Sequence, residues 1–146
     1  MSSKIAGDAP GSSWAAVVRT NGTSEFSKAF VPKPILEASV LNGTCIGIDA
    51  ISEFFAATAG GMYESLKFTH ESNDGAKTYL EWEGKAFGAQ VGGTTILTRD
   101  ETGLIESIRL YHRPLAALLK FSVELENRLK GKVDPSMLHS ASAAAG

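Results

Sequence analysis

The chain has few of the features that would assign it to several common classes of protein. It has one cysteine, Cys45, among 146 residues, so an intrachain disulfide and a cysteine metal cluster are both excluded. The residues around Cys45 include no basic neighbour, which favours a small buried residue over a nucleophile. The net charge is only -2, which gives no electrostatic reason to expect nucleic acid or an anionic membrane as a partner.

Long apolar runs are also missing. No run reaches the ~18 apolar residues of a membrane helix, and residues 1–11 lack the apolar core of a signal peptide. We therefore expect a cytoplasmic protein with no membrane partner. The histidines and carboxylates show no metal-site spacing, and the glycines form no phosphate-binding pattern. The sequence therefore predicts neither a metal nor a cofactor.

Length and composition suit one soluble domain with a substantial core. Apolar residues make up 43% of the chain and charged residues 21%, which are ordinary values for a globular protein. A domain of this length buries roughly two-thirds of the surface of its unfolded chain. We expect a flexible lead-in over residues 1–11, the domain over 12–131, and a flexible tail over 132–146.

The segment from residue 66 to residue 83 has the alternation of a β-hairpin. With Asn73-Asp74-Gly75 as a three-residue loop, apolar residues share one face and opposite charges pair on the other. This register predicts the inward pairs His70–Thr78, Phe68–Leu80 and Leu66–Trp82, and the outward pairs Glu71–Lys77 and Lys67–Glu81. It therefore places an imidazole on the buried side of a sheet.

The remaining elements indicate an α+β fold. Two short helices, a strand over 35–41 and a helix after Gly47 precede the hairpin. The Trp82 strand continues to Phe87, and Gly88 and then Gly92-Gly93 mark a turn or bulge. A strand over 94–99 follows, and its pairing with a last strand over 104–112 sets Thr95 opposite Ile108. Pro114 opens a final helix. Strands grouped after helices predict a curved, largely antiparallel sheet that forms a cone with helices on one face.

Several segments resemble the nuclear transport factor 2-like superfamily, which includes ketosteroid isomerases, SnoaL-like polyketide cyclases and scytalone dehydratases. They are Phe30, Gly47–Phe55, Tyr79–Gly84 and Asp100–Arg109. The resemblance covers residues 12–131 and implies a cystatin-like cone: a curved antiparallel or mixed sheet with N-terminal helices and a C-terminal helix. It implies little about activity, because the superfamily hosts isomerases, dehydratases, hydrolases and non-enzymes.

The resemblance also allows a check of the ketosteroid-isomerase machinery. The tyrosine donor of that family falls on Trp14, its aspartate base on Ala38, and its neutral aspartic acid on Thr95. Alanine cannot take a proton, and an indole N–H donates a hydrogen bond but is not an acid. Steroid isomerisation by that mechanism is therefore excluded.

Two histidines are the candidate catalytic residues. The predicted register makes His70 a general base or a ligand donor, with a core histidine bonded to Thr78 as the alternative. His112 has the parity of Ile108 and Leu110. It either faces the cavity and pairs with His70, as the histidines of scytalone dehydratase-like enzymes do, or forms a structural joint before Pro114.

The expected cavity predicts binding of a small, largely apolar molecule. Its predicted walls are Trp14, Ala38, Phe54, Tyr63, Phe68, Thr78, Leu80, Trp82, Thr95, Ile108 and Leu110. One hypothesis adds a cofactor-free isomerase, dehydratase or cyclase step that uses His70. The others are a non-catalytic ligand-binding or assembly module, and a dimerisation domain with a filled core. We expect a homodimer through the outer face of the sheet or the last helix.

Overall fold

The computed structural model describes residues 9–141, and within them the predicted α+β order of elements is confirmed. The helices are α1 (Ser12–Arg19), α2 (Ser24–Ser27), α3 (Ile48–Ala59) and α4 (Leu115–Leu129), with a short 3-10 helix over Pro135–Met137. The strands are β1 (Phe30–Ala38), β2 (Cys45–Ile46), β3 (Ser65–Asp74), β4 (Lys77–Ala86), β5 (Ala89–Arg99) and β6 (Ile105–Arg113). None of the described helices combines the length and the apolarity needed to cross a membrane.

The strands form one mixed, curved sheet in the order β2-β1-β6-β5-β4-β3. All neighbours are antiparallel except β1 and β6, which run parallel. β1 begins at Phe30, earlier than the predicted start at Ile35, and its pairing with β6 shifts between these two residues. Pro32 and Pro34 lie in that interval, where a missing backbone N–H interrupts the ladder.

The burial pattern of β4 confirms which face of the sheet is covered. Thr78, Leu80 and Trp82 are buried, whereas Glu81 and Glu83 are exposed. Since successive strand side chains point to opposite faces, the first three lie on the inner face with the helices.

The predicted register of the β3–β4 hairpin is wrong. Asp74 pairs with Lys77, so the loop has two residues rather than three. Gly75 takes a left-handed φ of 60°, which suits a tight two-residue hairpin loop. The pairing then shifts once between Phe68 and His70. As a result Lys67 lies opposite Glu83 and not opposite Glu81, and Glu71 lies opposite Leu80 and not Lys77.

The predicted pairing of β5 with β6 is offset by two residues. Thr95 lies opposite Leu110, not Ile108, and the register shifts between Thr98 and Arg99. A shift of two residues leaves the faces unchanged, because the side-chain period of a strand is two. The turn expected at Gly88 is present, with positive φ angles at Phe87 and Gly88. Gly92 and Gly93, the expected site of a further turn or bulge, lie inside β5.

The end of the domain lies beyond residue 131. Met137 and Leu138 are buried in the core, and the backbone N–H of Asn42 donates to the Met137 carbonyl at 2.8 Å. The tail predicted over 132–146 therefore packs on the domain as far as residue 141. Residues 1–8 of the predicted lead-in and residues 142–146 of the tail lie outside the described residues.

Candidate functional site

A cavity of about 350 Å³ opens between α1, α3 and the inner face of the sheet. This volume is within the usual range for small-molecule sites. Aromatic and aliphatic side chains form most of its wall, and none of the described residues in the wall is a carboxylate. The wall consists of Trp14, Ala15, Val18, Arg19, Phe54, Phe55, Thr58, Ala59, Tyr63, Ser65, Leu66, Phe68, Trp82, Thr95 and Leu110.

Seven of the predicted wall residues lie in this cavity, and their role in binding stays a prediction. They are Trp14, Phe54, Tyr63, Phe68, Trp82, Thr95 and Leu110. Ala38, Thr78, Leu80 and Ile108 are buried but do not line it. Leu80 and Ile108 are wholly enclosed by the core. Thr78 lies at the hairpin end, where it accepts a hydrogen bond from Arg99 Nη1 and donates one to Asn73 Oδ1, both at 2.7 Å.

The sequence interpretation missed the wall residues of α1 other than Trp14 and those at the end of α3. Val18 lies four residues after Trp14 and Arg19 four residues after Ala15, and residues this far apart on a helix are neighbours. That spacing could have identified them. Phe55, Thr58 and Ala59 extend the same cavity from α3.

His70 is not buried, so the predicted inward imidazole is wrong. The side chain is exposed on β3, which is an edge strand, and it lies opposite Glu81 rather than Thr78. The cause is the position of the hairpin loop, because the pairing is unbroken from Asp74–Lys77 to His70–Glu81. The irregularity beyond His70 then returns Phe68 to the inner face.

His112 does face inward, as predicted, with only 7% of its surface exposed. Its ring packs against Trp82 and Phe121, with centroids 5.0 and 4.7 Å away. Its Nε2 lies 2.8 Å from the Tyr63 hydroxyl, so it is placed behind a wall residue rather than in the wall. The predicted acid–base pair with His70 does not form, because the two imidazoles lie in different environments.

Burial decides the protonation of the pair formed by Tyr63 and His112. It lowers the pKa of the His112 imidazole to about 4 and raises the pKa of the Tyr63 hydroxyl well above its usual value. Removal from water disfavours the charged form of each group. Both are therefore neutral at pH 7.

The Trp82 indole is positioned by the residues opposite it on β5. Its Nε1 donates to Thr95 Oγ1 at 3.1 Å. Trp82 pairs with Gly93, where an added Cβ would lie 2.3 Å from the indole Cζ2. Only glycine allows the ring to lie this close to the strand. Because an indole N–H can only donate, the Thr95 hydroxyl keeps its own hydrogen for another acceptor.

The N-terminus of α1 is attached to β3 at the mouth of the cavity. The Gly11 N–H donates to Glu71 Oε1 at 2.9 Å. An added Cβ at Gly11, whose φ is 74°, would lie 2.4 Å from Phe68 Cγ. This close approach places Phe68 beside the helix that carries Trp14. Arg19, exposed at the other end of α1, is the charged residue in the wall.

Comparison with known proteins identifies the fold. No protein-family model matches the chain, and the curated proteins contain no match. Solved structures do match. An uncharacterised protein with a cystatin-like fold from Silicibacter pomeroyi DSS-3 superposes with a TM-score of 0.71 at 16% identity, covering 80% of this chain and 81% of that one.

Two further matches have names that state an activity. A steroid delta-isomerase from Pseudomonas aeruginosa has a TM-score of 0.70 at 18% identity, covering 92% of this chain and 90% of its own. A putative SnoaL-like polyketide cyclase from Jannaschia sp. CCS1 has a TM-score of 0.54 at 13% identity, with 80% and 95% covered. Identities this low establish a shared architecture and leave the activity open. The chain therefore has a cystatin-like α+β fold, which its resemblance to the nuclear transport factor 2-like superfamily implied.

Proposed function

We propose that the protein binds one small, largely apolar molecule in the cavity between α1, α3 and the sheet. The observation that carries the proposal is the composition of the wall: aromatic and aliphatic side chains surround about 350 Å³, with few polar groups among them. Apolar pockets with a small number of polar groups are typical of small-molecule sites. The two tryptophans of the chain, Trp14 and Trp82, both belong to this wall and favour a flat or alicyclic ligand.

Binding without chemistry fits the polar groups of the site better than proton transfer does. A general base must come within hydrogen-bond distance of the proton it takes. The described wall offers no carboxylate for this, and His70 is exposed elsewhere. His112 is separated from the cavity by Tyr63, whose raised pKa holds its proton. The isomerase and the cyclase share the fold at only 18% and 13% identity, so their names are no evidence for proton transfer in this chain.

The bicyclic hydrocarbon tetralin is a suitable probe for the site. We expect burial of its apolar surface to give a binding free energy of about -6 kcal/mol, which corresponds to a dissociation constant of roughly 40 μM. This is roughly -0.6 kcal/mol for each carbon atom, within the range seen for small ligands.

Filling the cavity from α1 tests where tetralin binds. Ala15 is half-buried in the wall, whereas its neighbour Ala16 is exposed and outside it. We expect Ala15→Phe to weaken tetralin binding at least about tenfold, because the new ring occupies ligand volume worth 1.4 kcal/mol or more. Isothermal titration calorimetry measures both affinities.

The matched control is Ala16→Phe, which adds the same ring to the same helix outside the cavity. It should change the affinity by less than about twofold. Equal loss in the two variants would place tetralin elsewhere, and an absence of tetralin binding to the wild-type protein would refute the proposed function.

The homodimer and the cytoplasmic location stay predictions. α4 offers one surface for self-association, since Leu115, Leu119 and Val123 are 70%, 48% and 47% exposed. Sedimentation analysis of the purified chain would measure its oligomeric state.

A further inference from the structure

The hydrogen bond between Tyr63 and His112 leaves one polar atom without a partner. The Tyr63 hydroxyl is 2.8 Å from His112 Nε2. His112 Nδ1 is buried and has no hydrogen-bond partner among the described residues. The rings of Trp82 and Phe121 lie against the same imidazole. Among the described residues, Tyr63 is therefore the hydrogen-bond partner that decides which ring nitrogen carries the hydrogen.

The unpartnered Nδ1 indicates which nitrogen of the neutral imidazole carries the hydrogen. A buried N–H without an acceptor is rarer in proteins than a buried acceptor without a donor. Placing the hydrogen on Nε2 therefore leaves a bare lone pair on Nδ1 and allows Nε2–H to donate to the Tyr63 oxygen. The phenolic hydrogen is then not used in that bond.

That phenolic hydrogen is left to bond an acceptor in the cavity. Tyr63 is a wall residue, and within residues 9–141 its hydroxyl has no other partner than His112. After Gly93 and His112, the next cross-strand pair on this face of the sheet is Thr95 and Leu110, which also lie in the wall. Tyr63 thus brings a hydroxyl to a wall that is otherwise mostly apolar, where a ligand needs a single polar atom to accept its hydrogen.

We infer that the ligand carries a carbonyl or similar acceptor oxygen that takes a hydrogen bond from Tyr63, with His112 as the residue that positions the hydroxyl. This inference rests on the proposed function and adds the chemical class of the ligand. Tyr63 is the specificity-determining residue, because a buried donor left unpaired by a pure hydrocarbon disfavours that hydrocarbon. Its raised pKa keeps the hydroxyl protonated and therefore a donor.

The test compares 1-tetralone, which adds one carbonyl oxygen, with tetralin. For each protein, calorimetry gives the ratio of the two affinities, which cancels effects on apolar binding common to both probes. We expect Tyr63→Phe to lower the ketone-to-hydrocarbon ratio about fivefold, the usual effect of losing one neutral hydrogen bond. A Tyr63→Phe ratio equal to that of the wild type overturns the inference. A ratio lowered by Thr95→Val and not by Tyr63→Phe also overturns it, since Thr95 would then hold the carbonyl.

Infrared spectroscopy of the wild-type complex needs no variant and so also covers the case in which Tyr63→Phe does not fold. Difference spectra between ¹²C- and ¹³C-carbonyl 1-tetralone isolate the carbonyl stretch. A hydrogen bond from Tyr63 should lower its frequency below the value in hexane, and an unshifted frequency overturns the inference. The ¹⁵N chemical shifts of His112 should show a protonated Nε2 and a bare Nδ1, and the reverse tautomer contradicts the positioning role. If tetralin fails to bind the wild type, the proposed function itself falls, and this inference falls with it; if tetralin binds and the Tyr63→Phe ratio is unchanged, only this inference is overturned.

Discussion

Replacing Gly93 with alanine should destabilise the protein by at least about 3 kcal/mol, the upper range of overpacking costs. The added Cβ would lie 2.2 Å from the carbonyl oxygen of Tyr111 and 2.3 Å from Cζ2 of Trp82. One of these contacts is with backbone in the adjacent strand β6, so a rotamer change cannot relieve it. Because a domain has roughly 5–15 kcal/mol of stability in total, this one methyl group removes a large part of it. Urea unfolding followed by circular dichroism measures the loss.

The neighbouring glycine provides a matched control for this result. At Gly92 an added Cβ meets the guanidinium of Arg113 at 2.7 Å, which is the movable end of a long side chain. We expect Gly92→Ala to change the unfolding free energy by less than about 1 kcal/mol, because relief of backbone entropy offsets the displacement of the arginine. A similar loss of stability in both variants would contradict the role assigned to the contact between Gly93 and Trp82.

Lowering the pH from 7 to 5 should destabilise the protein by about 2 kcal/mol through His112 alone. Burial lowers its folded pKa to about 4 from an ordinary value of 6.5. Between these values the unfolded chain binds a proton that the folded chain does not, so stability falls as the pH falls. The contribution is fully present above pH 6.5 and reaches its full loss, about 3 kcal/mol, below pH 4.

Two glutamine variants separate His112 from other titrating groups. His112→Gln cannot take up a proton, so its stability should vary much less between pH 7 and pH 5 than that of the wild type. His70→Gln removes an exposed imidazole and should retain the wild-type dependence. The carboxylates of Asp100 and Glu124 do not confuse this window. Hydrogen bonds lower their pKa values, and the stability this gives is lost mainly below the ordinary pKa values of 3.8 and 4.5, which lie below pH 5. A wild-type stability that stays constant from pH 7 to pH 5 would contradict the buried, neutral state of His112.

The sequence predicted the inner face of the sheet well where strands are regular. Alternation in β4 correctly placed Leu80 and Trp82 inside, and the parity of β6 correctly placed Leu110 and His112 inside. Parity is robust there because the β5–β6 register differs from the predicted one by two residues, and the side-chain period of a strand is two.

The error at His70 arose from the position of the hairpin loop, and the irregularity between Phe68 and His70, which alternation cannot reveal, hid that error. The predicted three-residue loop matched hydrophobic and charged pairs over the whole hairpin, whereas the observed two-residue loop is followed by a shift between Phe68 and His70. On an edge strand that shift costs little, since one side of β3 has no neighbouring strand. The position of Tyr63 beside His112 depends on the tertiary packing of the segment after α3 against β6, which no local pattern encodes.

Binding of an apolar molecule in the cavity walled by both tryptophans is measured most directly by the indole N–H signals of the ¹⁵N-labelled protein. The chain has two tryptophans, so there are two such signals, from Trp14 on α1 and Trp82 on β4. On titration with tetralin, both signals should move together and saturate at one molecule per chain. Two indole signals that stay unchanged up to the aqueous solubility of tetralin, or shifts confined to residues outside the wall, would contradict binding of an apolar molecule in this cavity.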